Sequence, residues 1–136
     1  MADYSTIKGF TVQSLSSDPS ETLVAAGTWA SGGTFPDSVA DMAGAGTTTA
    51  GLAFGGYINP PGVDGAETAT YNGTAWTEVN DLNTGRYKLA GCGTQTAALA
   101  FSGYNNLTIN EEWNGTSWTE VGDLNTGRTA LSGCGT

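Results

Sequence analysis

Little in this chain can do covalent chemistry. Histidine is absent, so neither a Ser/His/Asp nor a Cys/His nucleophile can be assembled. A glycosidase-like pair of carboxylates must converge in space. The adjacent pair Glu111-Glu112 sits in a strand pattern, which sends neighbouring side chains to opposite faces. Cys92 and Cys134 form no Cys-x-x-Cys pair and have no histidine to join them, so a zinc site lacks ligands. Both read as small buried thiols rather than a disulfide. Equivalent positions on neighbouring repeats are expected to stand farther apart than the roughly 7 Å between Cα atoms that a bridge tolerates. The expectation is no catalytic residue, no metal and no cofactor.

Binding is the chemistry that remains. Tyr57, Asn59 and Asp64 lie in one irregular stretch, Tyr57 to Ala66, and Tyr104, Asn105 and Asn106 lie in another, Tyr104 to Ile109. The two stretches differ in length and sequence while their surroundings repeat. Variable loops on a repeated scaffold are where binding usually resides, so these six residues form the candidate ligand-binding set. Trp29, Trp76 and Trp118 could stack on sugars, but recurrence at one strand position marks them as packing residues.

The scaffold that must position the two stretches is visible as a repeat. Asn72 to Thr94 matches Asn114 to Thr136 at 18 of 23 positions, 42 residues apart. Trp29 to Gly44, Trp76 to Gly91 and Trp118 to Gly133 each span 15 residues, and Gly44 to Tyr57 matches Gly91 to Tyr104 at an offset of 47. Residues 1–136 therefore read as one repeat domain, with divergent N-terminal strands over 1–28 and units over 29–71, 72–113 and 114–136.

Each full copy predicts four strands. In the second they cover 86–93, 96–103, 110–113 and 116–121, with turns at Thr94-Gln95 and at Asn114-Gly115, a two-residue hairpin signal. The second strand is almost continuously apolar, as expected when both faces of a sheet are covered. Upstream, 4–15, 21–25 and 28–30 read as three more strands, and 126–135 as a lone strand at the back. Four short antiparallel strands every 42 to 47 residues predict an all-β fold built of β-propeller blades, about three to a chain. Arg86 and Arg128, after the loop between units, are expected to meet carboxylates or carbonyls near Asp81 and Asp123.

Composition agrees. Glycine is abundant, at 21 of 136 residues, and strong helix formers are scarce. The net charge of −9 with four basic residues argues against nucleic acid and against anionic membranes as partners. No 18-residue apolar run predicts a membrane span, and Met1 to Lys8 lacks the basic-then-apolar pattern of a secretory signal. Asn72, Asn106 and Asn114 match the glycosylation sequon, but two of these matches are hairpin turns followed by threonine.

An apolar strand closing in Gly55-Gly56, followed by Tyr71, Trp76 and Arg86, resembles the kelch repeat. The second copy departs from it, with Ser102 for the first glycine and Trp113 for the tyrosine, and the Tyr-to-Trp spacing is shorter than in kelch repeats. The copper ligands of galactose-oxidase-type kelch enzymes include histidines, which this chain lacks. The run Trp113 to Arg128, with the opening Ile7 to Gln13, is similar to Gly/Thr/Trp-rich repeats in structural proteins of marine bacteriophages. That resemblance implies a non-enzymatic virion protein of the tail or capsid surface, assembled in the host cytoplasm. It would contact other virion proteins and host surface carbohydrate or receptor. The alternative is an extracellular protein that forms filaments by head-to-tail strand pairing.

Three blades are fewer than a propeller needs. The expectation is that strand 126–135 pairs with residues 4–15 of a second copy, so that two chains close a six-bladed ring.

Overall fold

The computed structural model describes residues 6–7, 10–11 and 32–136. The chain forms two compact units, 1–31 and 32–136. In the first, β1 (Thr6–Ile7) and β2 (Phe10–Thr11) pair antiparallel, Thr6 opposite Thr11 and Ile7 opposite Phe10. Within the single strand expected over 4–15, the described residues therefore form two short strands that pair with each other; the rest of that span lies outside the described residues. The strands expected at 21–25 and 28–30, and Trp29, lie outside the described residues.

The second unit is all-β, and its described residues contain no helix. One sheet holds β3 (Val39–Ala40), β4 (Ala43–Thr47), β5 (Ala50–Ile58), β6 (Val63–Tyr71) and β7 (Trp76–Glu78). β3 and β4 both pair with β5, so the sheet reads β3/β4–β5–β6–β7. The other holds β8 (Ala90–Gly93), β9 (Ala98–Phe101), β10 (Asn110–Trp113) and β11 (Trp118–Glu120), in that order. All pairs are antiparallel. One sheet is strongly curled, in the manner of a half-barrel.

The repeat is a repeat of hydrogen bonds. Val79 N donates to Thr68 O as Val121 N donates to Asn110 O, and Leu82 N to Ala66 O as Leu124 N to Thr108 O. The Asn-Gly turns are longer than a two-residue hairpin. Tyr71 pairs with Trp76 and Trp113 with Trp118, which leaves four residues in each loop. Asn72 Oδ1 accepts from Thr74 N and Ala75 N, both at 2.9 Å, and Asn114 Oδ1 accepts from Thr116 N and Ser117 N. The side chain thus mimics a backbone turn, and the following strand begins at the tryptophan.

The core lies between the two sheets. Leu52 and Phe54 of the first meet Ala98, Ala100, Trp113 and Trp118 of the second, with Leu82 and Leu89 from the connection. The Trp118 ring stands edge-on to Phe54 at 4.8 Å, and its Nε1 donates to Thr68 Oγ1 at 3.0 Å. Gly91 makes this approach possible, because a Cβ there would stand 3.0 Å from Phe54 Cε2. Truncating a core aromatic costs about 3–5 kcal/mol, so Trp118 is a principal tie between the sheets.

The segment expected as a strand over 126–135 does not form one. An inner strand takes its ladder from the second strand of its own sheet, and the described residues hold none for it. Instead Ala130 N donates to Lys88 O and Gly93 N to Gly135 O, which lays the segment beside β8.

Candidate functional site

Three tyrosines form a row that spans both sheets. Tyr57 comes from the end of β5, Tyr87 from the connection into β8, and Tyr104 from the loop after β9. Ring centroids are 5.2 Å apart for Tyr57–Tyr87, at 51°, and 4.7 Å for Tyr87–Tyr104, stacked at 25°. Lys88 Nζ stands 5.6 Å from the centroids of both Tyr87 and Tyr104. Asp64 pairs with Tyr57 across β5 and β6. Tyr104 is 43% exposed, and Asp64 and Lys88 are exposed as well.

Backbone hydrogen bonds hold the row. Tyr104 N donates to Tyr87 O at 2.8 Å. Arg86, next to Tyr87, donates its N–H to Gly65 O and accepts from Gly56 N, both at 2.9 Å. The register of β5 and β6 shifts between Phe54 and Gly56, so Gly55-Gly56 is a bulge. A Cβ on Gly55 would stand 2.7 Å from Arg86 O, which explains glycine where the connection docks.

Burial raises the Tyr87 phenol above its ordinary value, and neighbouring Tyr104, Asp64 and Tyr57 add to the shift. The fold therefore favours the neutral form of Tyr87, and one cation, Lys88, and one carboxylate, Asp64, flank the row. Such a surface offers ring faces to an apolar ligand face and charged groups to its polar edge.

Beneath the row, the Arg86 side chain is wholly buried. It donates from Nε to Ser102 O, from Nη2 to Ala100 O, and from Nη1 to Thr84 O and to Glu111 Oε1 at 2.5 Å. The side chains of Arg86 and Glu111 are each 1% exposed. Burial alone would raise the Glu111 carboxyl, but hydrogen bonds from Arg86 and Asn83 and the guanidinium charge prevail and hold it below the usual carboxylate range.

The expectation of carbonyl and carboxylate partners for Arg86 holds, with the carboxylate corrected from Asp81 to Glu111. Asp81 Oδ1 accepts from Thr68 N instead, at 3.1 Å. Glu112 is exposed on the opposite face of β10, so the adjacent carboxylates diverge as their strand dictates. Arg128 is exposed, and its side chain has no hydrogen-bond partner among the described residues. The thiols are free, with Cys92 half-buried and Cys134 exposed; the expected burial fails because Cys134 lies on the segment covered from one side only. Among the described residues no group of three or more ionisable ligands could hold a metal.

Of the six residues predicted to bind, Tyr57, Asp64 and Tyr104 belong to the row. Tyr57 and Asp64 are not in a loop, because the five extra residues lengthen β5 and β6 into a hairpin whose arms have nine residues each. Asn59 lies at its tip, where its N–H donates to Ser38 O. Asn105 and Asn106 flank Tyr104 in left-handed conformations, at φ 64° and 56°, which asparagine tolerates. Tyr87 and Lys88 were missed. A signal existed, since both break the repeat, with Thr129 and Ala130 in the matching places.

No protein-family model matches the chain, and no curated protein matches it.

Proposed function

We propose that the two sheets are successive blades of a kelch-like β-propeller. On this reading the protein is a non-enzymatic structural component of a phage virion, at the tail or capsid surface. It is assembled in the host cytoplasm beside other virion proteins, and it presents the tyrosine row to host surface carbohydrate. The observation that carries the binding role is the row itself: Tyr57, Tyr87 and Tyr104 in ring-to-ring contact, with Lys88 and Asp64 at its edge. The four-strand order found twice, with matching hydrogen bonds across the joint, supports the blade reading.

A glycan array tests the binding role. The expected result is retention of a defined class of oligosaccharide, weakened about two- to tenfold in Tyr104→Ala, as loss of one aromatic contact implies. Absence of binding across the array removes the recognition role and leaves assembly alone.

The blade reading includes closure, in which two chains complete a six-bladed ring. A second reading, an extracellular filament, is favoured by one observation: residues 126–136 lie along β8 without a sheet of their own. A head-to-tail contact that fails to close propagates as a fibre. Electron microscopy of purified protein separates rings from filaments.

A further inference from the structure

We infer that Cys92 and Cys134 are a disulfide-forming pair: in an oxidising medium they join within one chain and fasten residues 126–136 to β8. The inference does not depend on the blade reading or on the virion role.

The placement follows from the backbone. Residues 130–135 run beside 88–93 in the same direction. Ala130 N donates to Lys88 O at 3.0 Å, and Gly93 N donates to Gly135 O at 2.8 Å. Between those bonds, a Cβ on Gly133 would collide with Gly91 O. Each of these pairs is 42 residues apart, and so are Cys92 and Cys134. The cysteines are thus flanked on both sides by close approaches in one register. Neighbouring hydrogen-bonded strands stand about 4.8 Å apart, inside the roughly 4.4–6.8 Å between Cα atoms that a disulfide spans. Equivalent positions on adjacent units therefore approach more closely here than the repeat alone led us to expect.

The side chains share their surroundings. Both thiols are free, Cys92 half-buried and Cys134 exposed. Both line the same two clefts, one with Ala45 and the other with Leu99 and Glu112. Their chain neighbours are all glycines, in Gly91-Cys92-Gly93 and Gly133-Cys134-Gly135, so no adjacent side chain holds the sulfurs apart. On the other side of β8 the same register brings an alanine. Lys88 N donates to Asp41 O at 3.0 Å, and a Cβ on Gly91 would stand 3.3 Å from Gly44 O, which sets Ala45 beside Cys92. The chain has two cysteines, so the pairing has no rival within it.

The oxidant is a small-molecule disulfide, such as oxidised glutathione. Cys134, the more exposed thiol, attacks one glutathione sulfur as its thiolate and expels a glutathione thiolate. The Cys92 thiolate then attacks Cys134 Sγ, expels the second glutathione thiolate and closes the protein S–S bond. Two protein thiols are oxidised, one small disulfide is reduced to two thiols, and the two thiol protons pass to those products. The bond closes a loop over 92–134 that encloses β9, β10 and β11. Closing a loop of this length lowers the entropy of the unfolded chain, and the bond ties down a segment that has no sheet of its own.

Incubation of the reduced chain 1–136 with oxidised glutathione, followed by alkylation and tryptic mapping, tests this. Cleavage after Lys88 and Arg128 places Cys92 in peptide 89–128 and Cys134 in peptide 129–136. The expected result is a species of one-chain mass, two hydrogens lighter, in which those two peptides are joined. Its thermal midpoint should stand on the order of 10 °C above that of the reduced protein, and neither Cys92→Ser nor Cys134→Ser should gain that rise. Stable glutathione adducts on both cysteines, disulfide-linked dimers, or a crosslink that forms only in urea overturn the pair. A crosslink that leaves the midpoint unchanged overturns the fastening of the segment.

Discussion

Arg86 and Glu111 form an ion pair of 2.5 Å between side chains that are each 1% exposed. The arginine arrives from the connection between sheets, and the glutamate stands in the middle of β10. Removing one partner of a buried pair leaves a charge with no solvent. Glu111→Ala should therefore lose about 3–5 kcal/mol in urea unfolding. The double variant Arg86→Met with Glu111→Leu should lose less than Glu111→Ala, because no unpaired charge remains. A double loss equal to or larger than the single one would contradict the pairing.

The same pair makes stability depend on pH. The folded Glu111 carboxyl titrates below its ordinary value of 4.5. Its contribution is thus complete above the unfolded value and is lost as pH falls through the folded one. Urea midpoints between pH 6 and pH 3 should decline more steeply in wild type than in Glu111→Gln.

Tyr87 acts at the other end of the scale. Its phenol is raised above 10.0, so the fold favours the neutral form. That preference is intact below the unfolded value and is lost as pH rises through the folded one. Ultraviolet titration should show a late tyrosine step, and Tyr87→Phe should remove it. Tyr104→Phe should bring the late step earlier, because Tyr104 contributes to the shift.

Glycines in this chain divide by what surrounds them. A Cβ on Gly91 would run into the Phe54 ring, so Gly91→Ala should cost about 1–3 kcal/mol through overpacking. Nothing stands within 4 Å of a Cβ on Gly122. Gly122→Ala should be neutral or should stabilise by about 0.4–1 kcal/mol, by reducing the freedom of the unfolded chain. Thermal melts of the two variants check the contrast.

The strand menu was legible because burial on both sheet faces and turns rich in asparagine and glycine are local signals. The segment 110–113 is both the expected third strand and β10. The ends of strands were less legible, since long-range contacts decide them. Residues 86–89 look strand-like, yet they carry Arg86 under one sheet and Tyr87 over it, and pairing begins only at Ala90. The pairing of Thr6–Ile7 with Phe10–Thr11 was missed although the sequence signals it, since the apolar residues Ile7 and Phe10 stand three apart and break the alternation. At the candidate site, Tyr57, Asp64 and Tyr104 were found through unequal segment lengths. Tyr87 was missed because it lies in a stretch that otherwise repeats, where its departure from threonine looked incidental.

Glu111 stands where the first sheet has Ala69. Near-identical units risk docking in the wrong order while they fold, a known failure of repeat proteins. An arginine that entered the first sheet at this position would bury its charge opposite a methyl group. One carboxylate, placed in one of two otherwise similar frames, thus makes the two sheets unequal hosts for an arginine: only the second can neutralise the charge that enters it.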